Sequence, residues 1–200
     1  MLLNKKNSEG FLNLKYKTMK KKNLITGYKS PTQTEKNIAW FLPRPKKDRY
    51  KGGMPLYCED WLVELARDIL GHPPSILNVF CGMNKHGLRV DIKKEVNPDV
   101  ICDVHKLTQF IDGKYDCIIA DPPYSNDEAK EIYGTPKLKY KEWTSECDKL
   151  LIEGGLFMIY HKYVMPNPNP NKYEVVKRVF IGNRTYHLPR VCIVFRKKFE

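Results

Sequence analysis

The chain has 200 residues, 42% of them hydrophobic and 29% charged. That is the size of one domain with a full core, and it leaves no room for a large separate recognition domain. No window approaches the roughly 18 consecutive apolar residues of a membrane span, and Met1 to Lys6 runs into polar residues without the apolar stretch of a secretory signal, so a cytoplasmic protein is expected. The net charge of +12 is concentrated at one end: residues 1–51 hold 12 Lys and 2 Arg against Glu9, Glu35 and Asp48, while the remainder carries 21 basic and 20 acidic residues.

In chain order, residues 1–50 show no sustained periodicity and close on Pro43-Arg44-Pro45-Lys46-Lys47. They read as a basic arm with room for one short element, followed by a folded domain over 51–200. Lys15, Lys17, Lys20, Lys21 and Lys22 among Tyr16, Tyr28 and Trp40 suit contact with phosphates, because neutralised phosphates release counterions whatever the base sequence. From Glu59 to Leu70, apolar residues at helical spacing predict a helix stopped by Gly71-His72-Pro73-Pro74. Strands are predicted at Ser75 to Phe80, Val90 to Ile92, Val100 to Asp103, Cys117 to Ala120 and Gly155 to Tyr160. Lys141 to Leu151 reads as a helix ended by Gly154-Gly155. Tyr173 to Ile181 and Arg190 to Phe195 are expected to pair as a closing hairpin, with Tyr186-His187 near its tip. Short apolar strands alternating with connections describe a mostly parallel, Rossmann-like α/β sheet.

The six cysteines include no C-x-x-C pair and no zinc-type spacing to histidine, so neither a metal site nor disulfides are expected. Cys81, Cys102, Cys117 and Cys192 lie in apolar runs and read as small buried hydrophobes. His105 and His161 each follow a predicted strand, and a structural or solvated role is the expectation for both.

The sharpest motif is Asp121-Pro122-Pro123-Tyr124, directly after the run Tyr115 to Ala120. An apolar strand that halts at an acid and two prolines places the acid at the strand's carboxyl end, where open α/β sheets bind their ligands. Ile76-Leu77-Asn78-Val79-Phe80-Cys81-Gly82 is a second strand, breaking at a glycine where backbone approaches a nucleotide. Asp91 and Asp103 follow, each closing a short apolar run.

Taken in that order, the set resembles class I S-adenosylmethionine-dependent methyltransferases, and within them the amino-methyltransferases of nucleic-acid bases, notably adenine-specific DNA methyltransferases. The resemblance spans about residues 55 to 197. It implies S-adenosylmethionine as cofactor, with Phe80, Cys81 and Gly82 along its methionine part, Asp91 on the ribose, and Asp103 with Val104 at the adenine. It implies that Asp121 borders both cofactor and target, that Asp121 and the Pro122 carbonyl accept from the target amine, and that Pro123 and Tyr124 complete the catalytic loop, Tyr124 stacking on an extruded base. The target implied is adenine N6 of DNA. Cytosine N4 is disfavoured because relatives with that target more often begin the tetrapeptide with Ser. An amine of an RNA base and an inactive nucleic-acid-binding protein of the same fold are the alternatives. The chain departs from the pattern at Asn78, where an acid is usual, and at Asn84, where a second glycine is usual. Only nine positions separate Gly82 from Asp91, so the first crossover helix is expected to be shortened, or Asp91 is not the ribose ligand. No recognition domain is visible, which leaves that task to the arm and to Ser125 to Tyr140.

Overall fold

The computed structural model describes residues 36–43, 53–131, 134, 137–182 and 189–199. The lysine-rich stretch before residue 36 and the hairpin tip at Tyr186-His187 lie outside them. The folded unit spans Lys36–Glu200 and is built on one eight-stranded sheet. Its strands are β1 (Asn37–Phe41), β2 (Ile76–Val79), β3 (Leu88–Asp91), β4 (Val100–Ile101), β5 (Tyr115–Ala120), β6 (Leu151–His161), β7 (Tyr173–Gly182) and β8 (Arg190–Lys197). Among the described residues its helices are α1 (Cys58–Leu70), α2 (Asn126–Glu131) and α3 (Tyr140–Leu150), with 3₁₀ segments at Lys94–Val96 and Val104–Gln109.

The strand order is β1-β7-β8-β6-β5-β2-β3-β4. β7 runs antiparallel to β8, and β8 to β6, while every other neighbouring pair is parallel. This is the Rossmann-like sheet with an antiparallel closing hairpin that the strand pattern predicts. From β2 the chain steps outward to β3 and β4, then returns across β2 to lay down β5 and β6 on the other side. The topological switch point therefore lies between β2 and β5, where such sheets open a crevice at their carboxyl ends.

Alternation along the strands divides the core between two faces. Leu77, Val79, Ile118 and Ala120 pack with Trp143, Cys147 and Leu150 of α3 and Leu107 of the second 3₁₀ segment. Ile76, Cys117 and Ile119 pack on the opposite face with Leu62, Val63 and Ala66 of α1. Every residue of β2 is buried, as expected of a central parallel strand covered on both sides. All six cysteines are buried as well. No helix among the described residues is long and apolar enough to cross a membrane.

Three features differ from the sequence expectations. First, β1 falls inside the span read as the arm: Asn37 to Phe41 pair with Arg178 to Gly182 of β7, so the sheet begins before residue 51. Trp40 meets Trp61 of α1 edge to face at 5.2 Å. Second, Gly154-Gly155 do not stop α3, which ends at Leu150 and passes directly into β6. Gly154 adopts φ +74 beneath the Phe199 ring, and a Cβ on Gly155 would meet the Asp116 carbonyl at 3.0 Å. The glycines thus serve a strand irregularity opposite Tyr115 and Cys117. Third, the first crossover carries no helix at all. Residues 80–87 join two parallel strands by turns alone, with positive φ at Phe80 (54°), Gly82 (48°) and Gly87 (74°). At Gly87 a Cβ would lie 2.3 Å from the Ile76 carbonyl oxygen, so only glycine lets the short loop pass β2.

Candidate active site

A cavity of about 310 Å³ opens at the switch point, within the usual size range of small-molecule sites. One wall is built from the strand ends on the β3 side: Phe80, Cys81 and Gly82 after β2, Asp91 at the tip of β3, and Asp103 with Val104 after β4. Asp121 and Pro123 after β5 close the other wall. All seven residues expected at the cofactor thus line one cavity. Pro122 is buried behind it, and Tyr124 stands outside its lining.

Each carboxylate is held by backbone. Asp91 accepts from Gly82 N through Oδ2 and from Lys93 N through Oδ1, both at 2.9 Å. The short loop after β2 is thereby pinned to the tip of β3. The αL turn at Phe80 starts that fold-back, and Cys81 N donates to the Val90 carbonyl at 3.0 Å. A bulky residue in that region stores strain, a common feature of binding loops. Asp103 caps the Val104–Gln109 segment: its Oδ1 accepts from His105 N at 3.0 Å and lies 2.7 Å from His105 Nδ1. Lys139 N donates to His105 Nε2 at 3.1 Å. With Nε2 accepting, the proton sits on Nδ1 and points at Asp103. His105 therefore orients that carboxylate. Burial works against the charged form of Asp103, but the His105 bonds outweigh it and its pKa lies below the ordinary value.

Asp121 has the opposite electrostatics. Burial pushes its carboxyl well above the ordinary aspartate value of 3.8, Glu128 and Asp91 add to the rise, and Arg190 opposes it. The loop after it is fixed on both flanks. Tyr124 N donates to Glu128 Oε2 at 2.9 Å, while Glu128 N donates to Ser125 Oγ at 3.1 Å. His161, at the end of β6, receives Tyr163 N on Nδ1 at 3.0 Å, so its proton is on Nε2, which donates to the Pro123 carbonyl. Burial, helped by Lys162 and Arg190, lowers its pKa to about 4. His161 is accordingly a neutral clamp on the proline loop, its ring edge-on to Tyr124 at 5.0 Å.

A further contributor was not picked out from sequence. Glu59, in the first turn of α1, lines the cavity and takes three donors: Asn78 Nδ2 at 3.0 Å, Lys85 N at 2.9 Å and His86 N at 2.9 Å. Asn84 Nδ2 donates in turn to Asn78 Oδ1 at 3.3 Å. Asn78 thus holds Glu59 of the neighbouring helix directly, and Asn84 braces Asn78. Burial raises the Glu59 pKa, with the His86 and Lys85 amides pulling the other way. The signal was present in principle: an acidic first turn on the helix preceding β2, combined with an amide where an acid is usual. The segment from Gly53 to Tyr57 also lines the cavity and carries no comparable motif.

Comparison with solved structures identifies the architecture. The N-methyltransferase NodS from Bradyrhizobium japonicum WM9, in complex with S-adenosyl-l-homocysteine, matches with a TM-score of 0.53 at 13% identity, covering 76% of this chain and 93% of that one. TrmN from Thermus thermophilus matches with a TM-score of 0.51 at 15% identity, covering 74% of this chain and 50% of that one. The fold is that of class I methyltransferases. No protein-family model and no curated protein sequence matches the chain.

Within this fold the cavity wall formed by Asp91 and Asp103 offers two carboxylate acceptors on successive strand ends. The Gly82 backbone, free of a Cβ, lets a ligand come close between them. Across the cavity, Asp121 presents an acceptor of raised proton affinity, on a loop whose flanking Pro123 and Tyr124 are both tied down.

Proposed function

We propose that the chain is an S-adenosylmethionine-dependent methyltransferase that transfers a methyl group to the exocyclic amine of a nucleic-acid base, with adenine N6 of DNA as the target. The observation that carries this reading is the meeting of Asp91 and Asp103 with Asp121 and Pro123 across one cavity at the switch point. In this reading Asp91 holds the ribose, Asp103 with Val104 the adenine, and Phe80 to Gly82 the methionine part. Glu59 stands beside that last segment as an acceptor for the ammonium. The bound donor supplies an electrophilic sulfonium methyl.

An exocyclic amine is a poor nucleophile because its lone pair is delocalised into the ring. Asp121 and the Pro122 carbonyl, each accepting one N–H, draw the hydrogens out of plane and expose the lone pair. That donor would give its methyl to the exposed nitrogen and leave as the neutral thioether, and the methylated nitrogen would have one proton to shed. Asp121, its proton affinity raised by burial, is placed to receive that proton. Tyr124 supplies a ring against which the extruded base stacks. The basic segment before β1 adds sequence-independent phosphate contacts.

The test is transfer of labelled methyl from S-adenosylmethionine to duplex DNA, single-stranded DNA and total RNA, with wild type and Asp121→Ala. Transfer to DNA that disappears in the variant is expected. Persistent transfer by Asp121→Ala would remove its catalytic role. Transfer to RNA alone would move the target to an RNA base, and absence of both transfer and cofactor binding would leave a binding protein of the same fold.

A further inference from the structure

Outside the cavity, a second group of side chains gathers on the far side of the proline loop. β6 and β8 are antiparallel with His161 opposite Val191, so Lys162 leaves β6 where Arg190 enters β8. Both cations converge on Tyr124. The Arg190 guanidinium carbon lies 4.8 Å from the ring centroid, and Lys162 Nζ lies 5.8 Å from it and 5.2 Å from the Tyr163 centroid. Tyr163 is 59% exposed, so the group opens to solvent beside the cavity rather than closing a core. Both cations also lower the pKa of His161, and Arg190 acts on Asp121, so their field reaches the catalytic loop.

We propose that Lys162 and Arg190 form a phosphate-binding subsite for the strand backbone next to the target nucleotide. The inference rests on the proposed function and specifies how that site would hold its substrate: the amine-bearing base against Asp121, and the adjoining phosphodiester on the cation pair. An arginine fork and a lysine point charge are the side chains suited to phosphate, and aromatic rings interleaved with them are the pattern for bases presented on a single strand. A small neutral amine would gain nothing from two cations outside its cavity. Phosphate binding also has a consequence for Tyr124: drawing the guanidinium toward an anion uncovers the ring face it now shares, which is the face an extruded base needs. Phosphate and base binding would therefore favour one another at this corner of the sheet.

The test uses the full chain saturated with S-adenosylhomocysteine. It titrates fluorescent single-stranded DNA and RNA oligonucleotides of matching sequence between about 50 and 200 mM salt. Lys162→Gln and Arg190→Gln are compared with Lys114→Gln, which removes the same charge at the opposite end of β5, where Lys114 Nζ donates to the Lys149 carbonyl. Each of the first two variants is expected to weaken binding several-fold at low salt and to lower the salt slope by about 0.7 per lost phosphate contact. Lys114→Gln should leave the slope unchanged. A reduced slope on either polymer supports the subsite. Unchanged slopes on both, or an equal loss in Lys114→Gln, overturn it. Should Arg190→Gln fail to fold, Lys162→Glu carries the test through the other cation and should reduce the slope further. Binding is read without turnover, so a lost slope with no methyl transfer refutes the proposed reaction and keeps the subsite. Transfer with intact slopes does the reverse.

Discussion

Acidification should weaken the fold through His161, and replacing that residue should remove the effect. In the folded chain the ring is neutral, with Nδ1 accepting from Tyr163 N and Nε2 donating to the Pro123 carbonyl. Burial disfavours the charged ring, and the nearby cations Lys162 and Arg190 add to that cost. The pKa accordingly falls from 6.5 to about 4, which at about 1.4 kcal/mol per tenfold change in proton affinity amounts to about 3 kcal/mol. The direction follows from proton binding: between pH 6.5 and about 4 the unfolded chain takes up the proton and the folded chain does not, so stability falls as pH falls through that window. Above 6.5 the group contributes no pH dependence. Asp121 works in the opposite sense, since its raised pKa makes the folded chain the better proton binder, so the comparison must be between wild type and variant. Urea unfolding of wild type and His161→Gln across the window should show the variant's acid destabilisation smaller by up to about 3 kcal/mol. Identical pH profiles, or an imidazole seen by NMR to titrate near 6.5, would refute the clamp.

Other outcomes follow from the same geometry. Glu59→Ala strips the acceptor from Asn78 Nδ2, Lys85 N and His86 N, and should cost about 2 kcal/mol in thermal unfolding, together with a weakening of S-adenosylhomocysteine binding measured by calorimetry. Gly87→Ala forces a Cβ to 2.3 Å from the Ile76 carbonyl at a φ of +74°, and should cost about 3 kcal/mol or more, read as a lowered urea midpoint. Removing residues 1–35, which carry eight lysines against Glu9 and Glu35 and leave β1 in place, should flatten the salt dependence of nucleic-acid binding. An unchanged slope would deny that segment its phosphate contacts.

What could be read from the chain beforehand divides along the range of the interactions involved. Asp121 was legible because its placement is local: an apolar run, then an acid and two prolines, fixes where the strand ends. The shortening of the first crossover was equally legible, since nine positions from Gly82 to Asp91 cannot hold a full helix between two strands. The contributions that escaped are long-range. Glu59 acquires its place from Asn78 and from the loop 26 residues on at Lys85. Gly154 and Gly155 look like a helix stop until the Phe199 ring and the Asp116 carbonyl show why a strand needs them there. β1 reads as part of a polar arm because the partner that makes it a strand, β7, lies at the other end of the chain. His161 looked like one isolated histidine, and its role depends on a proline carbonyl that only the parallel pairing of β5 and β6 brings beside it.

The most direct test of the central claim is to identify the modified nucleoside. DNA incubated with the protein and isotopically labelled S-adenosylmethionine, then digested to nucleosides for mass spectrometry, should yield labelled N6-methyladenosine in its deoxy form with wild type and none with Asp121→Ala. Label on a ring carbon of a pyrimidine, or equal labelling by the variant, would contradict the account of Asp121 as the acceptor for an exocyclic amine.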